Sequence, residues 1–165
     1  MQHHRGAPGV VLGDILGSEA SRHAEAEEGD NDLARELTPK GEKQAARVAE
    51  WLLQRLPSKF ALISSPAVRA QQTAEALGVP VKTVKDIAPG APVSAIIKAA
   101  GWPEQKGTVV LVGHQPDLGH AAAFLVSGTQ AEVSIKKGGL WWISDRARED
   151  GAKIVVRSVV SPDLL

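Results

Sequence analysis

GTVVLVGHQPDLG, residues Gly107 to Gly119, decides the fold. Val109, Val110, Leu111 and Val112 form an unbroken apolar run between Gly107 and Gly113. Such a run, of strand length and bounded by turn residues, is the pattern of a strand buried on both faces. His114 and Gln115 come directly after it. Pro116 then sits where a helix begins, and the pattern predicts a helix from about Pro116 to Val126. A fully buried strand leading straight into a helix is one unit of a parallel α/β sheet.

The same alternation continues in both directions. Toward the N-terminus, Pro92 to Ala100 reads as a helix, and VKTVK (residues 81–85) reads as an edge strand because of its lysines. Ser65-Pro66 opens a helix carrying Val68, Ala70, Thr73, Ala74 and Leu77, which stops at Gly78. FALISS (residues 60–65) is a short apolar strand. Thr38-Pro39 caps a further helix in which Ala45, Val48, Ala49, Leu52, Leu53 and Leu56 recur at helical spacing, ending at Pro57. Toward the C-terminus, AEVSIKKGGLWWIS (residues 131–144) and AKIVVRSVV (residues 152–160) read as strands joined by a turn at Asp150-Gly151. If Trp141 and Trp142 lie in a strand they point to opposite faces, as core and cover residues. The expected fold class is α/β: a three-layer sandwich with a mostly parallel central sheet, helices on both faces and a final antiparallel or mixed portion.

Composition narrows the function. The 165 residues make a single domain the natural expectation. Nineteen basic and nineteen acidic residues balance, so no electrostatic footprint for nucleic acid or an anionic membrane exists. No apolar run approaches a membrane span. Cysteine is absent, which excludes disulfides, thiolate metal sites and a cysteine nucleophile, and fits a cytoplasmic protein. Residues 1–17 stand apart. MQHHRGAPG is rich in Gly, Pro and His, and VVLGDIL is interrupted by Gly13 and Asp14. The stretch reads as an atypical, disordered or extraneous terminus ahead of a domain over residues 18–165.

In a parallel sheet, residues just past the C-terminal end of each strand share one edge, where helix N-termini aim their free N–H groups. Three junctions put cationic or ionisable side chains there: Arg22-His23, Arg69 and His114. Taken singly, Arg22-His23 is a polar pair in a solvated acidic loop, Arg69 a solvated helix-start residue, and His114 a hydrogen-bonded loop residue. Together they make a site for a dianionic phosphoryl group.

RHAEAE (residues 22–27), LTPKG (residues 37–41), SSPAVRAQQTAEAL (residues 64–77) and VLVGHQPDLG (residues 110–119) resemble the successive motifs of the histidine phosphatase superfamily. The small size, KKGGLWWI (residues 136–143) and the closing SPDLL are most similar to SixA-type phosphohistidine phosphatases. The resemblance spans Arg22 to Leu165. It implies that His23 is the nucleophile, attacking phosphorus to form a transient phosphohistidine that water hydrolyses. It also implies that Arg22 and Arg69 clamp the phosphoryl group, with Arg35 near the pocket, and that His114 stabilises the transferring group. Ser64, Ser65 and the backbone N–H of Gln115 are expected phosphate donors. No metal or cofactor is expected; His114 and His120 are six residues apart, on different faces of a helix, and make a poor ligand pair.

Larger members of the superfamily carry a proton-donating glutamate after the second motif. VKDIAPGAPV (residues 84–93) has no matching glutamate. Glu25, Glu27 and Asp117 are the remaining acid candidates, each also readable as an exposed loop or helix-start carboxylate. Imidazole, with a pKa of ~6.5, leaves with little help from an acid. The expected substrate is therefore phosphohistidine on a protein of a phosphotransfer or signalling system. A small-molecule phosphomonoesterase and a non-catalytic phosphoprotein-binding module are the alternatives. Ser18-Glu19-Ala20-Ser21, just before Arg22, is a poor buried strand, since an unpaired buried carboxylate costs several kcal/mol. VVLGDIL serving as the strand, a distorted site, and an altered N-terminal sequence are the three explanations, and the last is the expected one.

Overall fold

A computed structural model describes residues 9–14, 32–148 and 151–165. The expected site residues Arg22, His23, Glu25 and Glu27, and the turn residue Asp150, lie outside the described residues. Six strands form one sheet: β1 (Gly9–Asp14), β2 (Phe60–Ser64), β3 (Lys82–Thr83), β4 (Thr108–Gly113), β5 (Leu140–Arg148) and β6 (Gly151–Val160), in the order β3-β2-β4-β1-β5-β6. The first four run parallel, while β5 is antiparallel to both β1 and β6.

Among the described residues the α-helices are α1 (Pro39–Leu53), α2 (Val68–Glu75), α3 (Val93–Ala100) and α4 (Asp117–Ser127). Side chains alternate along a strand, so β4 feeds two cores. Val110 and Val112 pack with Val11, Leu62 and residues of α1 and α2, among them Ala45, Ala49, Ala70 and Ala74. Val109 and Leu111 pack on the other face with Val10, Ile63 and residues of α3 and α4, among them Ile96, Leu118 and Ala122. The three layers follow directly. The two tryptophans divide the same way, Trp142 into the first core and Trp141 against the second.

Thr38 caps α1 as its sequence predicts, its Oγ1 accepting from the Gly41 N–H at 3.1 Å. Three expectations need correction. First, Gly9–Asp14 is a central strand, with Val10 and Val11 fully buried on opposite faces, so setting residues 1–17 apart is wrong for this segment. Glycine at position 9 is required there, because a Cβ would come within 2.7 Å of the Ile143 carbonyl oxygen. Second, Ala131 to Gly139 form no strand; β5 begins at Leu140. Gly138 adopts φ 71° and the Gly139 N–H turns back to the Lys136 carbonyl at 2.7 Å, which breaks the ladder. This segment instead leans on α4, where a Cβ on Gly119 would overlap the Val133 carbonyl oxygen. Third, α2 starts at Val68 rather than at Ser65-Pro66; the Ser65 Oγ still accepts from the Ala67 N–H at 3.2 Å. No helix among the described residues is long and apolar enough to cross a membrane.

Candidate active site

Ser64 pairs in register with Val112, and Asp14 with Gly113, so the ends of β1, β2 and β4 share one edge of the sheet. The Ser65 N–H extends this alignment by one residue, donating to the Val112 carbonyl at 3.1 Å. His114 therefore leaves β4 beside Ser65, and its Nε2 lies 2.6 Å from the Ser65 Oγ. Arg69, in the first turn of α2, reaches the other side of the ring, with Nη2 3.5 Å from Nδ1. The sequence-predicted pair Arg69 and His114 is thus brought together, both nearly buried.

The partners fix the proton on the ring. A guanidinium only donates, so Nδ1 is an acceptor and Nε2 carries the hydrogen, directed at the Ser65 Oγ. That oxygen already accepts from Ala67, which leaves the serine's own O–H to give. Burial, followed by the nearby Arg69 charge, lowers the His114 pKa to about 4, with Asp32 opposing weakly. The ring is neutral at neutral pH.

Asp32 was missed in the sequence, where the acidic run around it reads as a solvated loop. Its carboxylate accepts from Arg69 Nη2 at 3.1 Å and also from Arg35, while its carbonyl accepts from Arg69 Nη1 at 2.6 Å. The hydrogen bond from Arg35, joined by the hydrogen bond and charge of Arg69, holds its pKa below the ordinary carboxylate value against burial, which raises it. The usable signal was spacing, an acid three residues before Arg35 and just ahead of a helix cap. The Arg69 N–H donates to the Arg35 carbonyl at 3.2 Å, and Gln72 accepts from the Leu37 N–H at 2.7 Å, tying this segment to α2. Arg35 itself is exposed and touches the cluster through Asp32.

Other expected donors differ. Ser64 is fully buried and its hydroxyl donates to the Ser65 carbonyl at 3.0 Å, so it is not free to bind a phosphate oxygen. Gln115 follows His114, and its buried side-chain Nε2 has no partner. Asp117 is buried at the start of α4, and one carboxylate oxygen accepts from the Gly90 and Ala91 N–H groups at 2.8 and 3.1 Å. It anchors the loop before α3, a structural task that competes with the acid role expected for it.

The neutral His114 predicts a pH effect on stability. In the unfolded chain its pKa is 6.5, in the fold about 4. Between those values the unfolded state binds the proton that the folded state refuses. Stability present above pH 6.5 is therefore lost as pH falls toward 4, by about 3 kcal/mol from this group. Urea unfolding of the wild type and His114→Gln across that window should show a steeper loss for the wild type; parallel curves would refute a buried neutral ring.

A family model for the histidine phosphatase superfamily (branch 1) matches residues 20–88. An uncharacterized protein of Picosynechococcus sp. is 37% identical over 136 residues, covering 75% of this chain and 78% of that one. An uncharacterized protein of Mycobacterium tuberculosis is 32% identical over 119 residues, covering 68% and 75%. Among solved structures, the protein histidine phosphatase SixA complexed with tungstate superposes with a TM-score of 0.71 at 21% identity, covering 94% of this chain and 98% of that one. A SixA-type structure from Nakamurella multipartitia gives 0.67 at 26% identity, with the same coverage. A phosphoserine phosphatase mutant from Entamoeba histolytica with phosphoserine gives 0.67 at 18% identity, covering 96% and 99%.

Proposed function

The chain belongs to the histidine phosphatase superfamily, and from that premise we propose that it is a metal-independent phosphatase acting on phosphohistidine in a protein. His23 is the nucleophile. Its ring nitrogen forms a bond to phosphorus as the substrate's P–N bond breaks, and the substrate imidazole leaves and takes up a proton. Water then attacks the phosphorylated His23, releasing inorganic phosphate and the free ring. Arg22 and Arg69 hold the equatorial oxygens through both steps, and Arg69 exchanges Asp32 for the incoming dianion. His114 lies against Arg69, so a bound dianion raises its pKa and favours the charged ring where negative charge develops.

The observation that carries the substrate class is Asp32. Among the described residues it is the carboxylate that touches the Arg69–His114 pair, and two arginines keep it ionised. An ionised carboxylate cannot donate a proton. With no proton donor on this pair among the described residues, the site favours a leaving group that asks for little protonation, which imidazole satisfies and a serine alkoxide does not.

A panel of phosphohistidine and phosphoserine peptides tests this. The expected kcat/KM is about 100-fold or more higher for phosphohistidine, the scale on which general-acid catalysis acts. Equal rates, or a preference for a small phosphomonoester, would shift the assignment to the phosphomonoesterase reading.

A further inference from the structure

A second cationic feature lies away from the His114 edge. Trp51 in α1 and Arg55 just beyond it are one turn apart, and the Arg55 guanidinium sits 4.3 Å from the Trp51 ring centroid. Opposite them, the Arg157 guanidinium lies 4.6 Å from the Trp142 ring centroid. With Leu56 and Pro57 these residues line a groove of about 450 Å³, within the range of ligand sites. Leu56 and Pro57 lead into Phe60, the first residue of β2, so the groove lies toward the end of the sheet where the parallel strands begin.

Arg157 reaches this position through a backbone irregularity. Trp142 pairs with Ser158 but Ile143 pairs with Val156, so Arg157 is the extra residue of a bulge in β6. A bulge re-aims a side chain, and here it sets the guanidinium over Trp142. Neither arginine meets a carboxylate among the described residues, where the ion pairs are Arg35–Asp32, Arg69–Asp32 and Lys136–Asp163. Arg55 donates instead to the Trp51 carbonyl at 2.8 Å and to the Gln54 side chain at 3.4 Å. The chain as a whole is neutral, so two unneutralised guanidiniums in one groove are a local charge.

We infer that this groove docks an acidic segment of a protein partner, two of whose carboxylates pair with Arg55 and Arg157. Stacking on tryptophan holds each guanidinium plane, and with Arg55 Nη1 engaged by Trp51 and Gln54, the Arg55 Nε and Nη2 edge and the Arg157 fork are left to meet carboxylates in bidentate pairs. The guanidiniums already cover a face of each ring, so a planar nucleobase would have to displace them. That favours carboxylates over a nucleotide. The inference does not depend on the substrate proposed for His23.

Fluorescence anisotropy with a labelled decapeptide rich in Asp and Glu, set against its Asn/Gln counterpart, tests the groove in the full chain. The acidic peptide should bind and the neutral one should not. Arg55→Gln and Arg157→Gln should each weaken binding about tenfold, and Arg157→Lys should recover only part of the loss because it lacks the fork. Hydrolysis of a small phosphorylated substrate should be unchanged in these variants. Equal binding by the double Gln variant, equal binding by the neutral peptide, or tighter, arginine-dependent binding of ATP than of the peptide would each overturn the docking role.

Discussion

His23→Ala should lower turnover of a phosphohistidine peptide by about 10⁴-fold or more, the scale on which loss of a covalent nucleophile acts. The reaction as proposed passes through a bond between this ring and phosphorus, so no neighbouring group can substitute for it. Wild-type enzyme quenched with a labelled substrate should carry an acid-labile phosphoryl group on His23, and the variant should carry none. Binding of vanadate should survive, since the arginines proposed to hold the anion remain. Hydrolysis within tenfold of wild type, or label found on another residue, would reject His23 as nucleophile.

Arg69→Ala should be nearly as damaging, with about a 10³-fold loss in kcat/KM. The same side chain bonds the Asp32 carbonyl and carboxylate and lies against His114, so its removal acts on three groups at once. Asp32 loses a partner and the ring loses a cation that lowers its pKa, which should rise, though burial, the larger cause, stays in place. Arg69→Lys restores the charge but not the planar fork, and should recover only part of the rate. Vanadate affinity separates the effects: it should fall in both variants and most in the alanine one. Unchanged affinity would remove Arg69 from the clamp.

Much of this arrangement is legible in the sequence where the signal is local. The buried run Val109–Val112 and the Thr38-Pro39 cap each identify an element, and strand-end geometry then predicts that Arg69 and His114 meet. The rest depends on distant partners. Gly13 and Asp14 disguise β1, which is a strand because β4 and β5 flank it and bury Val10 and Val11. Residues 131–139 carry strand-like alternation, yet two glycines and a close approach to α4 take them out of the ladder. Asp32 looks like one more solvated acid until Arg35 and Arg69 converge on it. Ser64 shows the converse: its place at a strand end suggests a ligand donor, but its hydroxyl finds a backbone carbonyl first.

The position of Gly9–Asp14 has a consequence for how the chain is made. Val10 finds its neighbours at Val109 and Ile143, far downstream. During synthesis β1 waits for Thr108–Gly113 before its first flank is hydrogen-bonded and for Leu140–Arg148 before its second, and such long-range closure is slow. Closure of the middle of the sheet therefore waits on strands made much later. A nascent chain that has not yet reached Leu140 leaves one side of that strand bare.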